Sequence, residues 1–162
     1  MGTTQTTGNA PDLASTPSHG GMVNRRRPNR TAFSPRPSVA ERLEAAENLL
    51  DGSVSDAGGV WSRAVAWILR LALEQAVDQL WAQVAPELMR CPMRAQLLAL
   101  RVYAGPEAAG QVGALWAALS RAAHHSDYEM APGVTDLRRW GDQTRELARV
   151  LELAPLAHQP FG

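Results

Sequence analysis

Between Val60 and Val84, apolar side chains fall on almost every side of one long helical stretch. Trp61, Val65, Ile68, Leu69, Ala72, Ala76, Leu80 and Val84 recur at steps of three and four, the spacing of a single helix face. Trp67, Leu71, Leu73, Val77 and Trp81 widen that face nearly all round, leaving a narrow polar stripe of Arg63, Arg70, Glu74 and Asp78. A helix this apolar must be covered on most sides, by its own chain or by a second subunit. The segment therefore predicts a central helix in an all-α protein, with a homodimer formed through the wide face of residues 60–84. Arg70, Glu74 and Asp78 interrupt it too often for a membrane span, so no membrane is expected as a partner.

The flanking segments supply partners for such a helix. Ser38 and Glu41 read as a capping box, in which the hydroxyl and the carboxylate each satisfy a backbone N–H at the start of a helix. Val39, Leu43, Ala46 and Leu50 then repeat on one face, and Gly52 is the expected left-handed stop. Pro92 suits the first turn of a short helix carrying Met93, Leu97, Leu100 and Ala104. Gly105-Pro106 stops it and starts another, with Val112, Leu115, Trp116, Leu119 and Ala122 facing inward. After Pro132-Gly133, Thr135 is the expected cap of a last helix and Asp136 suits its positive end. There Leu137, Trp140, Thr144, Leu147, Leu151 and Ala154 repeat 3-4-3-4-3 up to Pro155, a seam for antiparallel packing. The expected architecture is an antiparallel four- or five-helix bundle over residues 38–154, with a disordered basic arm at 1–37 and a tail at 155–162. The tryptophans read as core anchors rather than platforms for bases.

Charge divides the chain unevenly. Residues 1–37 hold five arginines against Asp12 alone, +4, including the run Arg25-Arg26-Arg27 and Arg30. Residues 38–162 hold eleven arginines against fifteen acids, −4. A body that is mildly acidic is not a broad nucleic-acid platform, because nonspecific affinity comes from neutralising phosphates. The arm is either a solvated tail or an electrostatic tether for RNA or an acidic protein. Cys91 is the one cysteine, so no intrachain disulfide can form; with no apolar leader at the N-terminus, a cytoplasmic protein is expected.

Groups able to move protons or grip phosphate gather in one place, Arg121-Ala122-Ala123-His124-His125-Ser126-Asp127-Tyr128-Glu129. At about 100° per residue, Arg121 lies about 200° round from Leu119 and so points away from the core. His125 follows one turn later, with Cβ atoms about 5–6 Å apart. Arg121 and His125 therefore share an outer face, with His124 between that face and the core edge. Successive histidines on a helix diverge by about 100°, a poor geometry for one shared ion, so no metal and no cofactor are assigned.

An arginine followed shortly by a histidine, late in a small helical bundle, resembles the HEPN superfamily. Arg70-Leu71-Ala72-Leu73-Glu74 is also similar to the pattern in the early helix of many such domains. The resemblance covers roughly residues 38–153. Here three residues separate Arg121 from His125, where that family's active motif has four to six, and Ala122 stands where a polar residue is common. The resemblance implies a HEPN-like fold, a dimer, and metal-independent RNA cleavage or RNA binding of the toxin or phage-defence kind. It implies a histidine, His125 or His124, for proton transfer at the ribose 2′-hydroxyl, and Arg121 holding the phosphate. Asp127, Tyr128, Arg70 and Glu74 are the accompanying candidates for substrate contact. Two other readings of the same residues stand beside this one. The histidines can cap the helix C-terminus, with Tyr128 packed under Pro132 and Asp127 paired to an arginine. The whole chain can equally be a noncatalytic helical module that binds a protein partner.

Overall fold

The structure, a computed structural model, describes residues 36–52, 60–124 and 131–157. Most of the expected arm, residues 1–35, lies outside these, as does the end of the tail. The described residues form five helices and no strand: α1 (Val39–Gly52), α2 (Val60–Val84), α3 (Met93–Tyr103), α4 (Gly105–Ala123) and α5 (Val134–Ala157). A 3-10 turn, Pro86–Arg90, joins α2 to α3.

α2 is the central helix. It packs against α1, α4 and α5, while α3 lies outside, against α4. Val65, Leu69, Ala72, Leu73, Val77, Leu80 and Trp81 on α2 are all buried. Most of the apolar surface expected to join two subunits is thus covered within the chain, a correction to the dimer face over 60–84. Only Val60 and Trp67, which is 53% exposed, remain open among its large apolar residues.

The helices do not all alternate in direction. Arg145 pairs with Glu47 and Arg138 with Asp51, so α1 and α5 run antiparallel. Trp116 meets Glu74 and His124 meets Arg70, so α4 runs antiparallel to α2. Leu69 approaches Gly141, and Gln79 faces the same hollow as Ala148 and Glu152, so α2 and α5 run parallel. The expectation of antiparallel neighbours throughout is corrected at that one pair.

The local signals fare unequally. The capping box at α1 is present in full: the Ser38 N–H donates to Glu41 Oε2 at 2.6 Å, and the Glu41 N–H donates to Ser38 Oγ at 3.2 Å. The Ser38 backbone N–H, and after it the Ser38 hydroxyl, hold the Glu41 carboxyl below its ordinary range. The α5 seam is also as expected, with Leu137, Thr144, Leu147, Leu151 and Ala154 buried. The buried Thr144 hydroxyl donates to the Trp140 carbonyl at 2.7 Å, so it needs no other partner. Three boundaries differ. Gly52 is the last residue of α1 but is not left-handed; Gly105, at φ 84°, is the described glycine that is. Thr135 does not cap α5, because the helix starts one residue earlier and the Gly133 carbonyl accepts the Leu137 N–H. Pro155 does not end α5 but sits in its last turns, where the N–H it lacks removes a single bond near the terminus.

Two consequences are measurable. Trp81, fully buried and edge-on to Tyr103 with ring centroids 5.3 Å apart, fills the end of the core where α3 closes over α2. Trp81→Ala leaves a large cavity and is expected to cost about 3–5 kcal/mol in denaturant unfolding. Ser38→Ala removes the cap and is expected to cost about 1 kcal/mol near neutral pH. Because the folded Glu41 carboxyl titrates lower than the unfolded one, its contribution is present above the ordinary carboxylate range and is lost as pH falls through its folded value. The gap between wild type and Glu41→Gln should therefore narrow in acid, as read by thermal unfolding at a series of pH values.

Candidate functional site

Where α4 ends, four side chains from two helices form one chain of polar contacts. The Trp116 indole N–H donates to Glu74 Oε1 at 2.8 Å. The same oxygen lies 3.2 Å from Arg70 Nε, an i,i+4 pair on α2. That contact is an ion pair rather than a hydrogen bond, since the buried Nε–H has no acceptor aligned with it. Arg70 Nη1 then reaches His124 Nε2 at 3.2 Å. A guanidinium only donates, so Nε2 is the acceptor in that contact, which leaves Nδ1 as the ring nitrogen facing away from Arg70.

The positions follow from helix geometry. Arg70 and Glu74 are one turn apart on the polar stripe of α2 and are half-buried there. Trp116 and His124 are eight residues apart on α4, which brings both to its α2 side. His124 is the C-cap residue, its N–H shared between the Ser120 and Arg121 carbonyls. Its exposed ring reaches across to Arg70 on α2, while only its backbone N–H meets the last carbonyls of α4. Arg121 lies in the last turn, exposed and pointing away from the core, with no partner among the described residues.

The structure thus joins Arg70, Glu74 and His124 and leaves Arg121 one turn away in solvent. His125, Asp127, Tyr128 and Glu129 lie outside the described residues, so the Arg121–His125 pairing has no described geometry. Among the described residues, no three His, Cys, Asp or Glu side chains converge as metal ligands. No described helix is long and apolar enough to cross a membrane. Sequence reasoning missed Trp116 and Asp78. Asp78 stands one turn beyond Glu74; burial raises its pKa, Glu74 raises it further, and Arg36 opposes both. A groove of about 400 Å³ lies elsewhere, between α4 and α5, lined by Ala114, Ala118, Trp140 and Leu147 among others. It holds none of the expected site residues.

No family model, no curated protein and no solved structure matches this chain.

The carboxylate pair on α2 carries a pH signature. A folded Asp78 that holds its proton more tightly than the unfolded residue loses stability as pH rises from the unfolded value through the folded one. Asp78→Asn is therefore expected to raise the melting temperature near neutral pH and to give no gain below the ordinary carboxylate range. A gain that persists in acid would assign the effect to packing instead of charge.

Proposed function

We propose that this chain is a HEPN-like RNA-acting protein whose site is the C-terminal end of α4. The supporting observation is the company Arg121 keeps. It is an exposed guanidinium without a described partner, one turn from a histidine whose ring is fixed by a second arginine. Arginine suits bidentate contact with a phosphate, and His124, through the Nδ1 that faces away from Arg70, can add a further contact. In this proposal His125 is the base. Its imidazole takes the 2′-hydroxyl proton, the 2′-oxygen displaces the 5′-oxygen at phosphorus, and the leaving oxygen acquires a proton. The products are a 2′,3′-cyclic phosphate and a 5′-hydroxyl. Arg121 stabilises the charge on the phosphorane, and no metal takes part. The biological setting that goes with such chemistry is a toxin or defence ribonuclease, acting as a homodimer.

A second reading, a noncatalytic helical interaction module, is favoured by one specific observation. Arg70, Glu74, Trp116 and His124 are already engaged with one another and tie α2 to α4, which is a structural use for all four.

Incubation of the full chain with single-stranded RNA in excess chelator separates the two. Cleavage is expected, with Arg121→Ala and His125→Ala each reducing it by about 100-fold or more while circular dichroism and hydrodynamic size stay unchanged. No cleavage and no RNA binding by the folded wild type, or undiminished cleavage in the double variant, overturns the nuclease proposal.

A further inference from the structure

We infer that the outer face of α3, with the 3-10 turn ahead of it, is a docking surface for an acidic amphipathic helix of a partner protein. The inference is independent of whether the end of α4 cuts RNA. α3 is attached by its inner side only: Leu100 is buried, and Met93, Leu97, Ala99 and Tyr103 pack partly against the core. Gln96 anchors the start of the helix, its amide donating to the Cys91 carbonyl at 2.9 Å. The opposite side carries Leu98, 73% exposed, and Val102, 71% exposed, one turn apart. Met89, 45% exposed, precedes them on the 3-10 turn. Two aliphatic side chains so open on one stripe of a short helix are a cost to an isolated protein unless something covers them.

What covers them is indicated by charge. With Leu98 as reference, Arg94 and Arg101 lie about 40° and 60° round on one side, and Val102 about 40° on the other. The face is therefore split lengthwise, aliphatic on one edge and cationic on the other, and exposed Arg90 lies just ahead of it on the 3-10 turn. Among the described residues, Arg90, Arg94 and Arg101 have no acidic or hydrogen-bonding partner. By contrast, Arg42, Arg70, Arg138, Arg139, Arg145 and Arg149 each hold an amide or a carboxylate. No acid occurs between Glu87 and Glu107. Three unneutralised cations beside two uncovered aliphatic groups match a helix that presents leucine-type residues on one edge and carboxylates on the next. Arg94 and Arg101 are seven residues apart, about 10.5 Å along the axis, so carboxylates seven apart on the partner meet both.

Other anionic surfaces fit less well. RNA would want aromatic stacking groups among the cations, and this face has none. An anionic bilayer would confront the whole body, whose residues 38–162 carry −4, whereas a single helix contacts α3 alone.

The probe is a synthetic, fluorescently labelled helical peptide with leucines four apart on one edge and glutamates seven apart on the adjacent edge. It is titrated with the full chain and followed by anisotropy. Saturable binding that weakens with added salt is expected. Leu98→Ser with Val102→Ser should weaken it at least tenfold; both side chains are exposed, so the fold is kept. Arg94→Glu with Arg101→Glu should abolish it and confer binding to the same peptide with lysines in place of glutamates. Arg121→Ala and His125→Ala should leave it unchanged. The inference is overturned if the peptide does not bind, or if binding survives either double variant. It is also overturned if the arginine pair instead governs binding to single-stranded RNA or to phosphatidylglycerol vesicles. Concentration-dependent self-association lost in Arg94→Glu/Arg101→Glu would likewise overturn it, by assigning the face to a second copy.

Discussion

Three helices are needed to keep α2 dry, and the rest of the molecule is arranged around that need. Burying a leucine- or valine-sized side chain stabilises a fold by about 1.5–3 kcal/mol, and α2 buries such residues toward α1, α4 and α5 at once. α4 and α5 also meet three helices each, but α2 buries more of its residues than either. The ion pairs are secondary to this. Arg138–Asp51 and Arg145–Glu47 fix the register of α1 on α5, but they are exposed or nearly so, and pairs of that kind contribute little net stability. They select among arrangements that the apolar core already permits.

Polar groups on α2 are confined to the strip its neighbours leave, and there the local environment changes their chemistry. Glu74 has both an indole donor and a guanidinium beside it, whereas Asp78, one turn on, has burial and a like charge against it. The tie from Trp116 through Glu74 and Arg70 to His124 spans two helices distant in sequence. It makes the orientation of a ring at the end of α4 depend on the packing of α2 beneath it.

What could be read in advance was whatever depends on neighbours in the chain. The Ser38–Glu41 box is local by construction, and the α5 seam is a single periodicity that runs unbroken past Gly141, so both were legible. The broad apolar surface of α2 was legible as a quantity but not as a direction. A helix apolar all round does not say which tryptophan faces out, and Trp67 does while Trp81 does not. Gly52, Thr135 and Pro155 were misplaced because a stop or cap residue marks a region, while backbone hydrogen bonding decides the terminal turn. The contacts of Arg70 with His124 and of Glu74 with Trp116 depend on how α4 slides along α2. No spacing within either helix encodes that offset, and only the i,i+4 pair Arg70–Glu74 was visible beforehand.

Gly105 joins α3 to α4 almost without a linker, and its φ of 84° is open to few residues other than glycine. The two helices are in effect one bent rod, and the bend is set at a single residue. The outer arm of that rod carries Leu98 and Val102; the tip of the inner arm carries Arg121 and His124. A single residue with a backbone conformation few others can adopt thus sets the angle between the helix bearing the open aliphatic pair and the helix bearing the arginine and histidine.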